Sequence, residues 1–234
     1  MISVRNLQYQ LPNKRQILSG IDFELGQGEF LAVLGENGAG KTTLLDILMG
    51  FRRRTGGEVK VTERDPVDDP WETRSNITYL SEKVDIPGDW DAEEFLDFHR
   101  YFYRGYDVSE EQKLIELFGI SKKERVGNLS AGEIRRLQIV GALAAQPDLV
   151  IADEITAVLD ILARRKFLKV LQERQRGRGM AIVLATNVPE GLEAYAHRVL
   201  LIHRGQQITF SKTSDFLNGD KDLGDAAAKR LEQL

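Results

Sequence analysis

Gly35-Glu36-Asn37-Gly38-Ala39-Gly40-Lys41-Thr42-Thr43 decides how the rest of the chain reads. Its spacing, G-x-x-x-x-G-K-[ST], is that of a phosphate cradle: glycines let the backbone fold around phosphate oxygens with N–H groups turned inward and no Cβ in the way. At that spacing Lys41 brings a point charge to the β and γ phosphates, and Thr42 brings a hydroxyl to Mg2+. The flanks supply what the cradle needs, an apolar strand run over 30–34 and a helical run over 43–49 whose N-terminus faces the anion. Gly35, Asn37, Gly38, Ala39, Gly40, Lys41, Thr42 and Thr43 are the candidate nucleotide-binding residues. A glycine-rich turn that binds nothing has no use for Lys41-Thr42 at that position.

Composition narrows the class. With 234 residues, 42% hydrophobic and 29% charged, the chain has the make-up of a soluble globular protein with one sizeable core and a subdomain inserted or appended. No apolar run reaches the length of about 18 residues that spans a bilayer. Met1-Ile2-Ser3-Val4-Arg5 runs straight into a strand pattern without a long apolar leader, so the expected location is the cytoplasm. The absence of cysteine excludes disulfides and thiolate metal sites, and His99, His197 and His203 are too scattered to bind zinc, which leaves an oxygen-bound metal. A net charge of −4 argues against a nucleic-acid partner. The basic groups Arg52-Arg53-Arg54, Arg164-Arg165-Lys166 and 174–178 read first as solvated faces and helix-end charges.

Taken in order, residues 2–11 and 19–25 alternate apolar and polar and predict two strands joined across Pro12-Asn13-Lys14, a small antiparallel layer. Tyr9 lies in the first strand, where its ring either packs or stacks on a base. A short strand is expected over 58–62, a polar loop over 63–75 and a strand over 76–80. Residues 91–146 read as helical throughout, with capping-box spacing at Ser109-Glu110-Glu111-Gln112 and Ser130-Ala131-Gly132-Glu133. Leu149-Val150-Ile151-Ala152 is a buried-strand run ending in Asp153-Glu154. A carboxylate just after such a strand holds Mg2+ in P-loop NTPases, and the next one can orient or deprotonate water. Helix and strand then alternate to about residue 210, and residues 218–234 read as a short polar helix or tail. The expected fold class is α/β, a mainly parallel sheet flanked by helices, with the antiparallel layer at one end and a helical subdomain at about 91–146 inserted in a single domain over 1–217.

With these elements placed, residues 2–217 resemble the ATP-binding cassette family, in particular a stand-alone nucleotide-binding subunit. The most specific feature is Leu129-Ser130-Ala131-Gly132-Glu133, which resembles the signature L-S-G-G-Q and precedes the second acidic motif and a basic helix start, as in that family. The resemblance implies two cassettes facing head to tail, with Ser130 and Gly132 of one donating to the γ-phosphate of ATP held by the other. It also implies that Tyr9 stacks on adenine, Asp153 holds Mg2+, Glu154 is the general base, and Asp160 acts across the dimer.

Three positions depart from the family pattern. Glu82 stands where a glutamine usually meets Mg2+ and the lytic water, a substitution common in bacterial drug and peptide-antibiotic exporters. Ala131 and Glu133 replace signature glycine and glutamine. Asn187 follows Val183-Leu184-Ala185-Thr186 where a histidine is expected at the γ-phosphate; it can donate a hydrogen bond but carries no charge and passes no proton. The resulting expectation is an ATP hydrolase with ATP and Mg2+ as cofactors, a second cassette and a separate membrane permease as partners, and a peripheral place on the inner face of the membrane, in an exporter. The aromatic side chains Phe95, Phe98, Phe102 and Tyr106 share a helix face, which serves either a helical core or a groove for a permease helix. Two other readings stay open: a soluble cassette ATPase acting on a nucleic-acid, ribosomal or assembly complex, and a cassette that binds ATP with little turnover.

Overall fold

Alternation in the buried strands sets the architecture, seen in a computed structural model that describes residues 1–81 and 85–234. Along β3 (Phe30–Leu34), Phe30, Ala32 and Leu34 enter one core cluster while Leu31 and Val33 enter another. Such period-two sorting with both faces apolar is what a sheet covered on both sides requires.

The strands in chain order are β1 (Ile2–Gln10), β2 (Gln16–Leu25), β3, β4 (Gly56–Val61), β5 (Ile77–Ser81), β6 (Leu149–Asp153), β7 (Ala181–Thr186), β8 (Arg198–His203) and β9 (Gln206–Lys212). Among the described residues these nine form one sheet, ordered β4-β1-β2-β9-β8-β3-β7-β6-β5. From β8 to β5 every neighbouring pair is parallel. At the other end β1 pairs antiparallel with β2 and β4, β9 pairs antiparallel with β8, and Ser19 opposite Gln206 joins the two parts. The expected α/β class and antiparallel layer are both present.

One face carries α1 (Lys41–Leu48), whose Leu44, Leu45, Ile47 and Leu48 pack with β1, β2 and β4. A short α2 (Pro70–Arg74) lies within the segment expected to be a polar loop, started by proline at its first position, where the missing N–H costs nothing. The other face carries α3 (Ala92–Phe102), α4 (Val108–Phe118), α5 (Ala131–Ala144) and α6 (Ile161–Arg178). The region read as helical throughout thus holds three helices with connecting turns. Ser109 is not the cap of α4: the Asp107 carboxylate accepts from both Ser109 N and Glu110 N, two orphan donors that a hydroxyl at 109 would not reach together. Asp91 and Glu94 form a capping box on α3, and Ser130 and Glu133 form the expected one on α5.

Residues 192–194 make a single 3-10 turn. The chain closes with α7 (Thr213–Leu217) and α8 (Leu223–Glu232). In α8, Leu223 and Ala226 fall on one face and bury against the core that holds Phe216, whose ring lies 4.1 Å from the Arg230 guanidinium carbon. Among the described residues no helix is long and apolar enough to cross a membrane.

Candidate functional site

The parallel strands set their C-terminal ends side by side, with Leu34 opposite Thr186 and Asp153 opposite Ala185. Ligands of open α/β sheets bind at that edge. The phosphate loop leaves β3 there and enters α1. Two of its glycines are fixed by the chain's own packing. A Cβ on Gly35 would lie 2.3 Å from Ile202 O on β8, and one on Gly40, where φ is 108°, would lie 2.7 Å from Leu18 Cδ2 on β2. The loop is therefore clamped from two strands, an origin of the glycine pattern that spacing alone does not reveal.

Lys41 is 5% exposed, and its Nζ donates to Gly35 O at 2.7 Å and to Glu36 O at 3.1 Å. The same Nζ sits 3.2 Å from Glu154 Oε1. Thr42 Oγ1 donates to Asp153 Oδ2 at 2.7 Å, so one hydroxyl and one buried carboxylate share a point at the end of β6. Glu154 follows with φ of 52°, a left-handed conformation costly for a residue with a side chain, while its N–H donates to Ala185 O at 3.0 Å. Its Oε2 accepts from Asn187 N at 3.1 Å, and Asn187 Nδ2 donates to Asn37 Oδ1 at 3.1 Å. Asn37, Lys41, Thr42, Asp153, Glu154 and Asn187, drawn from three chain segments, are thus one connected group. Burial, with the Asp153 charge behind it, pushes the nearby Tyr79 phenol up to about 12.

Other expected residues lie elsewhere. Tyr9 is half-buried on β1 beside the loop. Ser130 caps α5: its Oγ accepts from Glu133 N at 3.3 Å and donates to Glu133 Oε2 at 2.7 Å, and that donation, with a second from Ser130 N at 2.9 Å, holds the Glu133 carboxyl below its usual range. Asp160 caps α6 by accepting from Ala163 N at 2.8 Å, which holds its carboxyl down as well. A Cβ on Gly132 would lie 3.5 Å from Val158 O, so the α5 start and the segment leading to Asp160 form one neighbourhood. Among the described residues, the hydrogen bonds and ion pairs of Ser130 and Asp160 stay within their own helix caps and do not reach the phosphate loop. Glu82 lies outside the described residues.

Tyr106 does not share the expected aromatic face, because α3 ends at Phe102 and the chain turns extended at Tyr103; the other three residues divide between core and groove. Phe95 is buried, whereas Phe98 and Phe102 are 47% and 51% exposed and, with His99 and Arg104 and with Trp71 and Arg74 of the α2 region, line a cavity of about 620 Å3. Trp71, 70% exposed, was hidden from sequence reading by the polar segment around it. The basic triplet is engaged: Arg52 pairs with Asp46, Arg53 with Asp68 and Arg54 with Asp65.

A sheet-edge phosphate loop, a threonine–aspartate contact and an adjacent glutamate define a nucleotide triphosphatase. Residues 18–157 match the ABC transporter family, and the chain belongs to it, with the fold and ATPase chemistry of its ATP-binding subunits. A putative ABC transporter ATP-binding protein of Methanopyrus kandleri is 30% identical over 223 residues, covering 93% of this chain and 83% of that one. An energy-coupling factor transporter ATP-binding protein of Enterococcus faecalis is 30% identical over 213 residues, with coverages of 85% and 73%. A solved structure described as the ATP-binding subunit of an ABC transporter superposes with a TM-score of 0.89 at 23% identity and covers 99% of both chains.

Proposed function

We propose that this subunit binds ATP with Mg2+, closes on a second cassette head to tail, and drives a separate membrane permease from the cytoplasmic face. The carrying observation is the convergence of Lys41, Asp153, Glu154 and Asn187 on one strand-end point. Thr42 and Asp153 are both oxygen donors, the kind a hard cation takes, and their 2.7 Å contact fits a shared ligand. Mg2+ held there supplies charge neutralisation for the β and γ oxygens. Lys41 stands beside it as a second positive charge. Glu154 is the base that takes a proton from the attacking water, and the Asn187 amide donates to a γ-phosphate oxygen. Tyr9 stacks on the base.

The dimer follows from where the remaining residues lie. Ser130, Gly132 and Asp160 share a neighbourhood whose bonds stop short of the phosphate loop, so in this reading they complete the site of a partner cassette. The 620 Å3 aromatic groove receives a short permease helix, with Arg74 and Arg104 in its lining. Export is the direction that Glu82 favours, and ATP-driven uptake into inside-out vesicles carrying the complex tests it.

Glu154→Gln tests the sandwich itself. Removing the base leaves the phosphate contacts, so the variant with ATP and Mg2+ is expected to elute as a dimer on size exclusion. A monomeric elution of that variant at saturating ATP overturns the head-to-tail assembly.

A further inference from the structure

Tyr9 is gripped from two directions. On the strand side it lies opposite Leu18 of β2, and directly opposed residues share a sheet face. Leu18 is the side chain that presses on Gly40, so the Tyr9 ring stands on the phosphate-loop side, one residue removed from the loop. On the helix side is Arg52, in the turn after α1. Its Nε donates to Asp46 Oδ2 at 2.7 Å, its Nη1 donates to Tyr9 Oη at 3.4 Å, and its guanidinium carbon is 5.9 Å from the Tyr9 ring centroid. Asp46 belongs to α1, the helix that begins at Lys41. A line of contacts therefore runs from the phosphate-binding helix through Asp46 and Arg52 to the aromatic ring.

The charge on Arg52 is balanced by Asp46, so the guanidinium is not a free cation for phosphate. What it offers Tyr9 is a fixed partner, a hydrogen bond at the hydroxyl and a cation beside the ring. A tyrosine without that partner keeps side-chain freedom that nucleotide binding must remove. Immobilising one such side chain costs about 2- to 10-fold in affinity.

We propose that Arg52, braced by Asp46, is a positioning residue for the nucleotide base: it fixes the Tyr9 platform relative to the helix that holds the phosphates. This rests on the assignment of Tyr9 to the base. It predicts an effect confined to the base half of the nucleotide, which a merely structural ion pair would not produce.

The test is calorimetric titration of the full chain with ATP and, separately, with inorganic tripolyphosphate, both with Mg2+, for wild type, Tyr9→Ala, Arg52→Ala, the double variant and Asp46→Asn. Arg52→Ala is expected to weaken ATP about 2- to 10-fold and leave tripolyphosphate unchanged. Tyr9→Ala is expected to weaken ATP at least about 5-fold, as for lost stacking, and the double variant to match Tyr9→Ala alone. Asp46→Asn acts from the far end of the line and should reproduce the Arg52→Ala result, which keeps the question answerable if one variant folds poorly. Equal loss of ATP and tripolyphosphate affinity in Arg52→Ala would make it a phosphate-side charge and overturn the proposal. A Tyr9→Ala effect with none from Arg52→Ala or Asp46→Asn overturns it while sparing the Tyr9 platform. No ATP-specific effect in any variant removes the platform reading along with it.

Discussion

The strand-end site and the helical layer each hold buried charge, built in opposite ways. In the helical layer Glu111 of α4 is 0% exposed and accepts from Arg100 Nη2 at 2.6 Å, Arg100 Nε and Tyr106 Oη at 2.8 Å, and Lys122 Nζ at 2.9 Å. Glu93 closes the cluster by pairing with Arg100 and Lys122 at 2.7 and 3.0 Å. Everything comes from residues 93–122, from helices and a turn in ordinary conformations. Burial alone would push the Glu111 carboxyl up, but the bonds from Arg100, Lys122 and Tyr106 hold it below the usual range. In the strand-end site the Lys41–Glu154 contact is longer, at 3.2 Å, Glu154 has a left-handed backbone, and Asn187 is exposed. The first arrangement is complete within the chain, so its charges hold structure. The second leaves Asn187 exposed beside a longer ion pair, and in the proposed function its groups exchange one another for a phosphate.

Breaking each side should give opposite signatures. Glu154→Gln is expected to reduce steady-state phosphate release by about 10²- to 10⁴-fold, the usual worth of a general base, with urea unfolding nearly unchanged. A turnover near wild type would remove Glu154 from the base role.

Glu111→Ala leaves Arg100 and Lys122 without their central acceptor and is expected to cost about 3 kcal/mol in urea unfolding, the scale for breaking a buried pair. ATP affinity of the folded protein should be retained. The pH dependence has a definite sign. Because the Glu111 carboxyl is lowered from 4.5, its contribution is present above that value and is lost as pH falls through the lower folded value. Glu111→Gln should therefore flatten the stability profile below about pH 4.5, as followed by unfolding at several acidic pH values. A full acid limb in that variant would assign the titration to other groups.

The smallest effect sharpens the site. Asn187→His is expected to raise phosphate release by less than the about 10²-fold that a whole preorganised donor is worth, since asparagine already supplies one donor. The histidine should also add a pH-dependent limb between roughly pH 6 and 8, which wild type lacks at this position. Wild-type turnover above Asn187→His at every pH would mark asparagine as the adapted residue.

How far the sequence could be read follows from the same contrast. The strand-end site was legible because its chemistry requires particular residue types at fixed short spacings, Gly35 to Thr42 and Asp153-Glu154, each next to a buried strand. The Glu111 cluster was not, because Glu111 looked like part of a cap that Asp107 takes over, and its partners are identified only once α3 and α4 pack. Trp71 was lost in a polar segment that a proline turns into α2. Arg52 was visible only as one of three arginines, since nothing in its spacing indicates that it lies against Tyr9. The signature residues were recognisable by resemblance, and the structure adds that Ser130 and Asp160 each cap a helix in their own chain.

The most direct measurement is the shift in urea-unfolding free energy on adding Mg·ATP to wild type, Lys41→Ala and Glu111→Gln. Ligand at 100 times its Kd stabilises by about 2.7 kcal/mol. The account predicts a shift of that order for wild type and for Glu111→Gln, which starts from a lower stability, and essentially none for Lys41→Ala, whatever stability it starts from. A Lys41→Ala protein stabilised by Mg·ATP as strongly as wild type would contradict the assignment of the strand-end charges to the triphosphate.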